Sequence, residues 1–198
     1  FKKHFATKLT RLKNVSHSVY NFKRREKGLS LIEPRKTLLE NILKRNLRYV
    51  PRGGYIKAGT QYTAQELLRK LILSAESKVY IIDSYLHPDM LGLLDEILQE
   101  NPNLKFRLLT SSKNRRVPRL KKSLGLFVLQ YPSSVTEVKI GAIQHDRYLI
   151  LDEERVFHFG ASLHDLGRKG SSYTQKTDEK EVEQTISAVE TDFQNAAV

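Results

Sequence analysis

The 198-residue chain contains no cysteine, no tryptophan and one methionine. Without cysteine there is neither a disulfide nor a thiolate-held zinc, so stability must come from a packed core. No apolar run approaches the roughly 20 residues that cross a bilayer. No secretory signal is visible either, and the expected setting is the cytoplasm, with no membrane partner. Phe1 is not an initiator residue, which leaves room for a partner domain upstream of it. Gly-rich nucleotide loops, internal repeats and metal-ligand clusters of recognised spacing are missing, so no cofactor and no metal are expected. Acidic residues are scarce: 22 Asp and Glu stand against 34 Lys and Arg, a net charge of +12.

That charge is unevenly spread. Up to Lys57 the chain has an excess of thirteen positive charges, which leaves the remainder at minus one. Lys23, Arg24, Arg25, Lys44 and Arg45 recur among Leu9, Leu12, Val15, Val19 and Phe22, a pattern that predicts a basic, mostly helical appendage. Such a face is either simply solvated or, through counterion release, a nucleic-acid surface. Tyr49-Val50-Pro51-Arg52-Gly53-Gly54 marks a turn or linker, which divides the chain into an appendage, 1–54, and a core, 55–198.

In the core, helical and strand periods alternate. Ala64–Ala75 reads as a helix with Thr63 and Glu66 as a capping box, Lys78–Asp83 as a buried strand, and Pro88–Glu100 as a helix with Met90, Leu91, Leu94, Ile97 and Leu98 inward. Leu104–Thr110 and Val135–Ile140 are further strands, Pro118–Gln130 is a helix interrupted near Gly125, and Glu179–Ala197 closes as a helix. Tyr55–Lys57 is a short strand, and Gly167–Lys176 a mobile loop. The fold class is therefore α/β, a mixed β-sheet flanked by helices. Lys113, Arg115, Arg116, Arg119, Lys121 and Lys122 follow the second core strand, either as a track for a polynucleotide or as a solvated basic turn.

The stretch most directed at chemistry is His145-Asp146-Arg147-Tyr148-Leu149-Ile150-Leu151-Asp152, followed by Gly160-Ala161-Ser162. In a strand His145 and Arg147 share one face, continued inward by Leu149 and Leu151, and Asp152 falls where the strand turns. A following strand, Arg155–Gly160, predicts a hairpin. With Glu153-Glu154 as its loop, Val156 opposes Leu151, Gly160 opposes Arg147 and Ser162 opposes His145. Gly160 then leaves room for an anion beside the guanidinium. An imidazole, a guanidinium and a hydroxyl aimed at one spot suit a phosphodiester. Considered alone, His145 is also readable as a hydrogen-bonded histidine at a strand end. His158 and His164 lie near the motif, with packing or substrate contact open to each.

His145, Arg147 and Asp152 resemble the His-x-Lys-x4-Asp motif of the phospholipase D superfamily, with Arg in the Lys position, and Gly160-Ala161-Ser162 resembles its following Gly-Ser element. Lys78–Leu86 and Leu104–Thr110 resemble the first two strands of that fold. Gly160-Ala161-Ser162 with Asp165-Leu166-Gly167 is similar to a compact bacterial branch found in defence and mobile-element systems. The resemblance implies metal-independent catalysis in which one histidine attacks phosphorus and a second protonates the leaving oxygen. A chain with one motif then needs a homodimer to supply both histidines. It implies His145, Arg147 and Asp152 as catalytic residues, and Arg147, Gly160 and Ser162 as phosphate ligands.

Two function classes follow. One is a nuclease acting on DNA or RNA, with Lys23, Arg24, Arg25, Lys44, Arg45, Arg115, Arg116 and Arg119 along the polynucleotide. The other is a non-catalytic nucleic-acid-binding and dimerisation module, favoured by the Arg for Lys exchange, because a rigid guanidinium does not place charge as an ammonium does. The Asn that many nuclease members carry after the Gly-Ser element has no counterpart among Leu163 and His164.

Overall fold

β-branched and aromatic residues alternate across seven segments that form one sheet in the computed structural model, which describes residues 50–143 and 146–197. The strands are β1 (Gly53–Ile56), β2 (Lys78–Ile82), β3 (Lys105–Ser111), β4 (Val135–Gly141), β5 (Tyr148–Leu151), β6 (Arg155–Phe159) and β7 (Ser171–Gln175). Their order is β1-β7-β6-β5-β2-β3-β4. Strands β2, β3 and β4 are parallel, whereas β5, β6, β7 and β1 join in antiparallel fashion. Helices α1 (Gln61–Leu73), α2 (Met90–Glu100) and α3 (Val117–Gln130) precede β2, β3 and β4 in turn, and α4 (Glu179–Asn195) ends the described chain.

The period of two assigns each side chain a layer. Val79, Ile81, Phe106, Leu108, Leu149, Leu151, Phe157 and Phe159 pack with Leu68, Leu71, Ile72, Leu94, Ile97 and Leu124 of α1, α2 and α3. Tyr80, Ile82, Leu109, Ile150 and Val156 face the other way, onto Val189 and Phe193 of α4. Met90, Leu91, Leu94, Ile97 and Leu98 are all buried, as their spacing predicts. The expected mixed sheet flanked by helices is thus present. Strand β1 begins at Gly53, just ahead of the expected core start.

Four local expectations are corrected. Helix α3 runs unbroken through Gly125, which has nothing within 4 Å of a would-be Cβ and sits on the exposed face, where a glycine weakens a helix without ending it. Thr63 lies inside α1; the capping position is Thr60, whose hydroxyl donates to Lys57 O at 2.6 Å. The Gly167–Lys176 tract is not a free loop, because its second half is β7, paired with both β6 and β1.

The fourth correction is the hairpin register. Tyr148 opposes His158, Ile150 opposes Val156 and Leu151 opposes Arg155, one residue from the expected pairing. The turn takes Asp152, Glu153 and Glu154, with Asp152 (φ 55°) and Glu153 (φ 59°) in the left-handed region. Phe159, not Gly160, is bonded to Arg147, through its N–H to Arg147 O at 3.0 Å.

Candidate active site

Parallel β2, β3 and β4 end at the edge where antiparallel β5 begins, β6 ends and β7 begins. Ligands gather at the carboxyl edge of such sheets. Asp83, Asn114, Arg147, Ser162 and Ser171 are thereby brought to one edge from five separate segments.

Asp83 organises this edge. It is completely buried. Its Oδ2 accepts the Ser162 hydroxyl and the Leu163 N–H, both at 2.8 Å, and Oδ1 accepts the Tyr85 N–H at 2.9 Å. Burial pushes its carboxyl above the usual carboxylate range, while those donors and the Arg147 charge pull it back. One carboxylate so fixes both the segment leaving β2 and the segment leaving β6. Asn114 adds a second tie, donating from Nδ2 to Leu86 O at 3.0 Å and to Thr110 Oγ1 at 3.1 Å.

Arg147 precedes β5 by one residue and, two before Leu149, takes the face of α1, α2 and α3, where its charge acts on Asp83. Its Nε is buried and has no hydrogen-bond partner. Ser171 Oγ is in the same state, and Ser171 shares its strand face with Tyr173 of that same core layer. Among the described residues these are the two buried side-chain polar atoms left unpartnered. Each such group costs about 1–3 kcal/mol unless a ligand or water meets it. The two lie on one face and at one edge of the sheet, on either side of β6.

The remaining expected site residues are placed as follows. Ser162 is buried and its hydroxyl proton goes to Asp83, so in this arrangement it accepts from an incoming group and cannot donate to a phosphate. Gly160 lies beside Ser172, with its N–H on Ser172 O at 2.9 Å, and does not make room for Arg147. Asp152 sits at the opposite end of β5 from Arg147. Its carboxylate accepts the N–H groups of Glu76, Ser77 and Lys78 at 2.8–3.1 Å and an Arg155 N–H at 3.3 Å. Despite partial burial, those donors hold it below the usual carboxylate range. A strand's length separates it from the Asp83 edge, so it holds the hairpin turn to the start of β2 and cannot orient a group there. His158 lies on the α4 face, 3.7 Å from Asp146, and does not reach the Arg147 face. His145, Lys23, Arg24, Arg25, Lys44 and Arg45 lie outside the described residues.

Arg115, Arg116 and Arg119 are exposed where α3 begins, and the charges of Arg116 and Arg119 act on His87 of the segment leaving β2. The basic cluster therefore stands beside the candidate edge. His87, Asp89 and His164 converge there too and could hold a metal ion. A cavity of about 430 Å³ lies elsewhere, between Tyr148, Ile143 and α4, and lacks the unpartnered donors that mark the Arg147 edge. Sequence reading missed Asp83 and Ser171, because the partners that give them meaning are remote in the chain.

The sequence matches no family model and no curated protein. The fold is similar to solved structures. Nuc from Salmonella typhimurium, a phospholipase D family member, is 14% identical with a TM-score of 0.56, over 73% of this chain and 94% of that one. NucT from Helicobacter pylori is 14% identical with a TM-score of 0.53, over 73% of this chain and 97% of that one. TrmBL2, an archaeal chromatin protein whose structure shows a novel mode of DNA binding, is 14% identical with a TM-score of 0.53, over 90% and 68%. The domain has a phospholipase D-like fold.

Proposed function

We propose that the chain is a metal-independent phosphodiesterase that cleaves DNA or RNA through a phosphohistidine. The observation that carries the reading is the buried, unpartnered Arg147 Nε at the Asp83 edge. A guanidinium matches phosphate oxygens in planar, bidentate fashion, and a phosphate would give that donor its missing acceptor. Asp83 sets the guanidinium's surroundings and fixes the two segments that flank it.

In this reading the imidazole of His145 attacks phosphorus, forming a P–N bond as the P–O bond to the leaving group breaks. A second histidine gives its proton to the leaving oxygen, then takes one from the water that hydrolyses the phosphohistidine. With one motif per chain, that histidine is His145 of the partner subunit in a twofold dimer. The fold shared with a phospholipase D family member and the single His-x-Arg motif support the scheme. Exposed Arg115, Arg116 and Arg119 beside the edge favour a polynucleotide over a small phosphodiester, as does the basic appendage. The cytoplasm and an upstream partner domain remain part of the proposal; among the described residues no helix is long and apolar enough to cross a membrane.

A second reading, a phosphate-gripping module without turnover, is favoured by the commitment of the Ser162 hydroxyl to Asp83, which withdraws one donor from the phosphate. Cleavage of labelled single- and double-stranded DNA and RNA in excess EDTA, beside His145→Ala, separates the two. Cleavage that survives EDTA and disappears in the variant is the expected result, together with a dimer by sedimentation. Salt-sensitive binding without cleavage by either protein overturns the catalytic reading.

A further inference from the structure

We propose that His87, Asp89 and His164 form a binding site for one divalent transition-metal ion of the zinc class, which clips together the two segments that form the wall of the Asp83 edge. One donor atom from each residue lies within 4.8 Å of the others. His87 Nδ1 is 3.2 Å from Asp89 Oδ2, close to the roughly 3.4 Å between neighbouring ligands of a tetrahedral ion with bonds near 2.1 Å. His87 Nδ1 also accepts the Asp89 N–H at 3.2 Å. An ion on Nδ1 would take over the single lone pair that this N–H now occupies.

The chemistry of the set agrees. Two imidazoles and a carboxylate suit zinc and its neighbours better than magnesium or calcium, which prefer all-oxygen shells. The rings of His87 and His164 are stacked, with centroids 3.7 Å apart and planes 11° from parallel. Rotation about the histidine χ2, a broad torsion, turns the stacked rings toward a shared ion. Three protein ligands leave a fourth position open. The nearby charges of Arg116 and Arg119 act against a bare cation and favour an anion in that position.

The placement gives the ion its role. His87 follows Asp83 on the segment leaving β2, and His164 follows Leu163 on the segment leaving β6. Asp83 already ties these segments from beneath through Ser162, Leu163 and Tyr85. An ion on His87, Asp89 and His164 would tie them again at the surface. It takes no part in the phosphoryl transfer proposed above, and its binding does not depend on that reading.

The test is titration of the metal-free protein with Co²⁺, followed by visible absorption, and with Zn²⁺, followed by calorimetry and thermal unfolding. One equivalent should bind, with a d–d spectrum of four- or five-coordinate cobalt and a raised unfolding midpoint with zinc. His87→Ala and His164→Ala should each weaken binding by at least about tenfold, since even outer-shell losses cost that much. Asp89→Asn should weaken it too, and His158→Ala, on the α4 face, should bind as the parent does. Circular dichroism of each metal-free variant controls for folding. Absence of stoichiometric binding overturns the proposal, as does binding that is retained in both His87→Ala and His164→Ala or lost in His158→Ala. Because no nucleic acid is present, a failure here leaves the cleavage experiment untouched.

Discussion

Two aspartates divide the labour that the motif assigns to one. Asp152, the motif aspartate, is spent on three backbone N–H groups at the start of β2 and on Arg155. Asp83, which belongs to no motif, holds the edge where Arg147 stands. Asp152→Asn should lower unfolding free energy by about 2–4 kcal/mol, because several charge-assisted bonds lose their acceptor charge together. Denaturant unfolding measures this. The sign of the pH dependence is also fixed. The Asp152 carboxyl is depressed in the folded state, so its contribution is present above the ordinary carboxylate range and is lost as pH falls through its folded value. Asp83 is raised, so its contribution is present at low pH and lost as pH rises through its folded value. The acid limb of the stability profile should therefore flatten in Asp152→Asn; an unchanged limb would show that the carboxylate does not hold the turn. The position of Asp152 at a strand end was legible in the sequence. Its partners were not, since nothing in local pattern joins it to Glu76, Ser77 and Lys78.

At the scale of elements, period and turn chemistry carry different information. The alternation put Leu149 and Leu151 on one face, and the structure buries both in the layer of α1, α2 and α3 with Ile150 on the opposite side, because a buried strand tolerates no other phase. The hairpin register slipped by one because Asp-Glu-Glu-Arg contains no Gly or Asn to announce left-handed residues. Asp152 and Glu153 adopt that region anyway, held by tertiary bonds such as that of Glu153 to Lys78 at 3.1 Å. Gly167 shows the opposite case, in which both backbone and packing demand glycine. Its φ is +77°, and a Cβ there would lie 2.6 Å from Thr60 O, whose residue also donates its N–H to Gly167 O at 3.0 Å. Gly59 has the same φ with nothing within 4 Å. Gly59→Ala should cost about 1–2 kcal/mol from backbone strain alone. Gly167→Ala should cost at least about twice that, because the linkage between the start of α1 and the loop before β7 must also shift. Thermal unfolding of the two variants compares them, and equal losses would mean that the Thr60 contact is easily relieved.

For the whole molecule, the α/β order was legible because each helix and strand carries its own period, and the sheet follows from their alternation. The site was only half legible: Arg147 stood out by its motif, whereas Asp83 and Ser171 acquire meaning only when the sheet edge is assembled. Charge links these scales. The basic excess lies in the first 57 residues, yet Arg116 and Arg119 belong to the nearly neutral remainder and stand beside the edge. If a polynucleotide crosses that edge, each of these arginines that meets a phosphate releases condensed counterions on binding. The slope of log affinity against log salt should then fall in magnitude by about 0.9 per lost contact on duplex DNA, or about 0.7 on a single strand. Replacing Arg116 and Arg119 together by Ala should reduce the slope by up to about 1.8 on duplex, almost equally for unrelated sequences, since phosphate contacts carry no base information. Both side chains are exposed, so the fold should survive. Replacing Lys23, Arg24 and Arg25 gives the parallel measurement for the basic segment near the N-terminus. A slope that drops only with the second set would place the polynucleotide on that segment alone and remove it from the Asp83 edge, whereas a drop with both would show that each set meets phosphates.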